Sequence, residues 1–241
     1  MSTVTHTYMQ WDSEQLGIPC GNVLFSANEV DGKDLARAMV KIIPDKELLT
    51  VIKIPTTHIR TKKQLIQWGA TDLGDEVTFC FSKSIAEPKS SVKIIITNQF
   101  KYDVFLSLAE TMSYSRFALD NEISQPLALA LWRKSISNHC RGRASALAVG
   151  YIKNQPAGIV AALDTAERRN LFLVGVLPCF QKKGVGLSML DAIVRDAGTR
   201  RVLVEAFAAN TPAVSLYSHA GFIAESTHCV LHLWKNRLTA G

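Results

Sequence analysis

Residues 171 to 186 read L-F-L-V-G-V-L-P-C-F-Q-K-K-G-V-G. Leu171 to Val176 is a short apolar run of strand character, closed by Pro178. Beyond the glycines, Leu187, Leu190, Ile193, Val194 and Ala197 recur at helical spacing as far as Gly198. A strand therefore enters a glycine-containing turn and leaves it as a helix. The N–H groups around Lys183 to Gly186 then have no acceptor inside the helix and sit at the positive end of its dipole. Gly184 and Gly186 leave room for a pyrophosphate to approach the backbone, and Gln181, Lys182 and Lys183 add side-chain donors or charge. The spacing differs from the G-x-G-x-x-G and G-x-x-x-x-G-K-[ST] loops, which argues against nucleotide hydride transfer and NTP hydrolysis.

Outward from this turn the second part of the chain alternates strands and helices. Val92 to Thr97 is strand-like, Tyr102 to Met112 and Ile123 to Ile136 are helical, and Ala144 to Ile152 and Ala157 to Leu163 form a hairpin around Asn154-Gln155-Pro156. After the turn helix, Val202 to Phe207 is a strand. A short helix follows, with Thr211 as N-cap, Pro212 at its first position and Gly221 past its end, and Ala224 to Trp234 is a last strand. The first part is expected to hold helices at Leu35 to Ile43 and Lys62 to Trp68, and strands at Leu48 to Ile54 and Glu76 to Phe81. Gln64 to Phe81 parallels Ser215 to His232, each a helix ending at Gly and leading into a strand. The fold class expected is α/β with a mixed sheet, in two units, 1–88 and 91–241, joined by a linker at Ala86 to Ser91.

The chain has 241 residues, 47% hydrophobic and 20% charged, enough for a sizeable core and unlike a disordered segment. No apolar run reaches the roughly 18 to 20 residues of a membrane span, and residues 1 to 15 lack the basic and apolar regions of a secretory signal. The five cysteines are scattered without a C-x-x-C pair, which argues against a disulfide framework or zinc site and fits a reducing cytoplasm. No metal is expected. Of the net charge of +6, residues 1–90 carry 10 Lys+Arg against 11 Asp+Glu, and residues 91–241 carry 17 against 10. The basic residues come as scattered pairs without a long tract or interleaved aromatics, a poor match to nucleic-acid binding.

A second motif follows the turn. From Asn210 the chain reads N-x-x-A-x-x-L-Y-x-x-x-G-F, with Tyr217 and Gly221-Phe222 in place, after V-x-P-x-x-Q-x-x-G-x-G at Val176 to Gly186. In this order of elements, residues 91 to 236 closely resemble the GNAT superfamily of N-acetyltransferases. The resemblance implies a GNAT fold preceded by a smaller, degenerate GNAT-like unit, with acetyl-CoA as cosubstrate. It implies that the backbone of Val174 and Val176 pairs with the pantetheine arm. Gln181, Lys182, Lys183, Gly184, Val185 and Gly186 would hold the pyrophosphate, and Asn210 the pantetheine end. Tyr217 would protonate the departing thiolate, a general-acid role open to a phenol near pKa 10.

Many members place a glutamate on the strand before the turn as general base, but Leu171 to Val176 contains no acid. Glu205, His139, His219 or a water remain for that role, whereas His228 and His232, with no acidic companion in the sequence, read as structural. Trp11-Asp12-Ser13-x-x-Leu16-Gly17, Tyr114-Ser115-Arg116-Phe117 and Trp132 further resemble the nucleotide-sugar branch acting on dTDP-linked fucosamine. That resemblance implies a small-molecule amine as partner, an amino-deoxysugar on a nucleoside diphosphate, with Arg116 on a phosphate or sugar hydroxyl and Phe117 against the base or sugar. Another small amine, a protein amino group, a non-catalytic acyl-CoA-binding role and a homodimer stay open.

Overall fold

The computed structural model describes residues 4–24, 31–83 and 91–238. In chain order its strands and α-helices are β1 (Thr5–Tyr8), α1 (Gln10–Leu16), β2 (Cys20–Leu24), α2 (Lys33–Lys41), β3 (Leu49–Pro55), α3 (Ile59–Gln67) and β4 (Thr71–Phe81). There follow β5 (Lys93–Thr97), a 3-10 helix at Tyr102–Thr111, α4 (Arg116–Leu119), α5 (Gln125–Asn138) and a π-turn at His139–Arg143. The rest is β6 (Ala146–Ile152), β7 (Gln155–Asp164), β8 (Arg168–Val176), α6 (Val185–Asp196), β9 (Arg201–Phe207), α7 (Thr211–His219) and β10 (Phe222–Trp234). The mixed α/β class is as expected. Helix α1 and strands β1 and β2 escape the sequence reading because each is short and lacks periodicity.

The chain divides into two compact units, one of Met1–Glu76, Leu119–Ile123 and Ser226–Gly241, the other of Val77–Ala118 and Ser124–Glu225. The division thus falls inside β4 and inside β10, unlike the expected 1–88 and 91–241. The physical reason is pairing: His228–Trp234 of β10 runs antiparallel to Leu49–Pro55 of β3, which binds the C-terminal strand to the first unit. The linker expected at 86–91 lies, except for Ser91, outside the described residues.

In the first unit β1 pairs antiparallel with β2, and β2 pairs parallel with β3. Its core gathers Leu35, Ala36 and Met39 of α2, Leu65 of α3, Ile52 and Ile54 of β3, and Leu231 and Leu233 of β10. The segment Leu119–Ile123 is tied in by Asp120, whose Oδ2 accepts from Nε1 of Trp234 at 2.9 Å and bonds Nδ1 of His232 at 2.6 Å. The acidic companion that the sequence does not show for His232 therefore comes from a distant segment.

In the second unit β5, β6, β7 and β8 are antiparallel neighbours, and β8 pairs parallel with β9. The β6–β7 turn is Lys153-Asn154, both at positive φ (49° and 63°), so β7 starts at Gln155 and not after Pro156. One sheet face is covered by the 3-10 helix and α5 around Phe105, Leu108, Ile136 and Leu147, the other by α6 and α7 around Met189, Leu190, Ile193 and Tyr217. Burial of a side chain such as Leu190 or Ile193 is worth about 1.5–3 kcal/mol. Helix α6 lies close to the sheet: a Cβ at Gly150 would stand 2.9 Å from Val185 Cγ1 and 3.1 Å from Met189 Cγ. Arg169, buried, anchors β8 with two 2.8 Å bonds to Asp164, one of 2.7 Å to Asp196 and one to the Ile193 carbonyl.

Candidate active site

The site lies in the second unit and begins with a break in a ladder. The β8–β9 pairing runs from Arg168↔Arg201 to Leu171↔Val204, while β8 continues to Val176 paired with β7. At the end of the parallel ladder the β7–β8 register slips: Ala162 faces Leu171 and Ala161 faces Leu173, so Phe172 is extruded as a β-bulge. A bulge bends and twists its strand. It accounts for the separation of β8 from β9 beyond Leu171, which leaves the β9-facing edge around Val174 and Val176 beyond the ladder with β9.

At the end of β8 the turn forms where expected. Lys182 (φ 58°) and Gly184 (φ 83°) both take left-handed backbone, easy for glycine and costly for lysine. The first bond of α6 runs from Ser188 N–H to the Gly184 carbonyl, and no side chain caps the helix start. The N–H groups of Val185, Gly186 and Leu187 thus face out of the helix end, as an anion requires. A Cβ on Gly186 would lie 3.1 and 3.3 Å from the Leu216 methyls, so the turn is packed close to α7. Gln181 Nε2 donates to the Val176 carbonyl at 3.3 Å, and Lys183 Nζ donates to the Cys179 carbonyl at 2.8 Å and lies 5.4 Å from the Phe180 ring centre. Lys183 is therefore folded back on its own turn, and the backbone supplies the fixed donors. These residues fit a coenzyme A pyrophosphate.

Asn210 is the N-cap of α7, its Oδ1 accepting from Ala213 N–H at 3.3 Å. This corrects the reading of Thr211 as the cap: Asn210 is non-helical (ψ 66°), and Thr211 and Pro212 are the first two helical residues. The cap occupies the Asn210 oxygen and leaves its NH2 group as donor. Tyr217 is buried (5% exposed), with ring centres 5.7 Å from Phe79 and 6.0 Å from Phe222. Burial pushes its phenol well above the usual value. The group stays protonated at neutral pH, and the same burial makes it a weaker acid.

The base candidates separate clearly. Glu205 on β9 is exposed and accepts from Thr78 Oγ1 at 3.4 Å. His219, exposed at the end of α7, has Nδ1 2.7 Å from the Ser215 carbonyl. His139 opens the π-turn, is buried, and stacks on Phe172 with ring centres 6.2 Å apart and planes 25° apart. Desolvation, reinforced by the charge of Arg143, lowers its pKa to about 4. Phe117 is buried, and the guanidinium of Arg116 lies 4.2 Å over its ring. The aromatic face is thereby taken by a neighbour, which leaves Arg116 as the polar group of the pair. Among the described residues no group of three or more His, Cys, Asp or Glu could hold a metal ion. No helix of the described residues is long and apolar enough to cross a membrane.

A strand that leaves its parallel neighbour, an uncapped helix start and a buried tyrosine on the next helix thus all belong to the second unit. Residues 110–222 match the acetyltransferase (GNAT) family. Over 131 residues the chain is 24% identical to the spore coat polysaccharide biosynthesis protein SpsD of Bacillus subtilis, a match covering 53% of this chain and 45% of that protein. The chain thus spans less than half of that relative. The fold matches a GCN5-related N-acetyltransferase from Sphaerobacter thermophilus (TM-score 0.57, 14% identity, 96% of this chain and 76% of the other). It also matches a tandem GNAT protein from the clavulanic acid biosynthesis pathway (TM-score 0.51, 11% identity, 93% and 77%).

Proposed function

We propose that the protein transfers acetyl from acetyl-CoA to the amino group of a nucleotide-linked amino-deoxysugar. The observation that carries the transferase part is the separation of β8 from β9 at the Phe172 bulge, in the strand whose end leads into the uncapped start of α6 at Val185. In this reading acetyl-CoA is held as an added strand along Val174 and Val176, its pyrophosphate lies on Gln181 to Gly186, and the Asn210 NH2 bonds the pantetheine. The thioester carbonyl then stands where β8 and β9 part, open to attack by a neutral amine. Tyr217 donates to the sulfur as the C–S bond breaks. Its raised pKa makes this help chiefly a strengthening hydrogen bond to the leaving thiolate, since full transfer to a thiol of pKa about 8.5 is uphill.

The sugar acceptor rests on two supports. SpsD is a polysaccharide biosynthesis protein, and the Arg116-Phe117 pair offers a cation fixed over an aromatic ring, suited to a phosphate or sugar hydroxyl. The surplus of basic residues in the second part of the chain suits two substrates that both carry pyrophosphate. We also read residues 1–88 as a degenerate GNAT-like unit. In support, α3 and α7 each lead through a left-handed glycine, Gly69 (φ 102°) and Gly221 (φ 90°), into a long strand. The test is mass spectrometry of aminodeoxysugar nucleotides incubated with acetyl-CoA and the protein. A product heavier by one acetyl group is expected; acetylation of simple amines or peptides in preference would replace the sugar, and no saturable acetyl-CoA binding would overturn the whole reading.

A further inference from the structure

The strand that many acetyltransferases use to carry a carboxylate base has none here, and the structure puts a different group against it. Phe172 is the residue extruded at the bulge, half exposed (53%), at the point where β8 leaves β9. His139 stacks on that ring from the π-turn behind α5. The imidazole is 6% exposed, and its Nδ1, buried, has no hydrogen-bond partner among the described residues. A buried polar atom left unpaired costs about 1–3 kcal/mol and calls for an explanation. The turn is the C-terminal ending of α5, with Ala144 N–H donating to the His139 carbonyl at 3.4 Å. Here the turn closes through Gly142 at φ 106°, and the imidazole rests against Phe172 of the bulge.

We propose that His139 is the general base that takes the proton from the attacking amine; this rests on the acetyltransferase reading above. The amine lone pair forms the C–N bond at the thioester carbonyl, and the nitrogen, now positive, passes a proton to the imidazole. The C–S bond breaks with its electron pair going to sulfur. The thiolate is held by the hydrogen bond from Tyr217 and takes the proton that the imidazolium gives up through water, so the amine hydrogen ends on the CoA thiol. Burial, reinforced by the charge of Arg143, keeps the imidazole neutral and its lone pair available at neutral pH. The nitrogen of the addition adduct is far more acidic than a free ammonium, so a weak base suffices. Glu205 and His219 are less suited: one is exposed on β9 and bonded to Thr78, the other is engaged with the Ser215 carbonyl.

The test compares wild type with His139→Gln, using acetyl-CoA and dTDP-4-amino-4,6-dideoxygalactose, with simple amines as further acceptors. The expected result is a kcat lowered about 100-fold or more with the acetyl-CoA Kd unchanged within twofold. A folded variant with kcat within threefold of wild type overturns the assignment. Imidazole 15N resonances of wild type, titrated with acetyl-CoA, give a readout independent of the variant's folding. Signals of His139 are expected to shift on binding, and unchanged signals place it outside the site. A wild type that binds acetyl-CoA yet acetylates no amine overturns the transferase reading instead, and the base with it.

Discussion

Oδ2 of Asp120 lies 2.6 Å from Nδ1 of His232, and neither side chain is reached by solvent. Asp120 also accepts from the Trp234 indole and from Glu122 N–H at 2.9 Å each, so one carboxylate joins Leu119–Ile123 to β10. Burial alone would raise its pKa, but the bonds from His232, Glu122 and Trp234 prevail and lower it. Removing one partner of such a buried pair leaves the other uncompensated. Asp120→Ala is expected to cost about 3–5 kcal/mol in urea unfolding, with Asp120→Asn costing less.

Gly184 carries the turn at φ 83°, a region that alanine enters at a cost of about 1–2 kcal/mol. Gly184→Ala should therefore weaken acetyl-CoA binding about tenfold by calorimetry, since each 1.4 kcal/mol is a factor of ten. Lys183→Ala is expected to have a smaller effect, because Lys183 is folded onto the Cys179 carbonyl.

Tyr217→Phe removes a hydroxyl without opening a cavity beside Phe79 and Phe222. Under the proposed role kcat falls about 10²- to 10⁴-fold while the acetyl-CoA Kd holds. Since burial keeps the phenol protonated, no loss of activity assignable to Tyr217 is expected up to pH 9.

The pKa of about 4 for His139 has a consequence for stability. The unfolded chain takes up a proton at this histidine near pH 6.5, and the folded chain does so only near pH 4. Between those values the unfolded state binds more protons, so stability falls as pH is lowered through the window and levels off below it. The loss amounts to about 3 kcal/mol. Chemical denaturation of wild type and His139→Gln at pH 7 and pH 4.5 checks this: the difference between them should shrink toward the lower pH.

The strand–turn–helix at Leu171 to Gly198 was legible because its signals are local: an apolar run, a proline, two glycines and a 3.6-residue period. Tyr217 on α7 was legible for the same reason. The Asn210 cap was missed in favour of Thr211, since both residue types cap well and only the backbone angles separate them. The bulge at Phe172 left no trace in the sequence, because a one-residue slip depends on the neighbouring strand.

By itself the sequence determined the order of elements in the second part, the strand–turn–helix at Leu171 to Gly198 and the absence of a carboxylate on β8. Those follow from periodicity, backbone preference and residue identity, which act over a few positions. Only the tertiary structure decided that the chain divides inside β4 and β10, that Asp120 meets His232, and that His139 lies against the extruded Phe172. Each of these joins residues far apart in the chain, through strand pairing and exclusion of water, and no local pattern encodes which distant partner a strand or a buried charge will find.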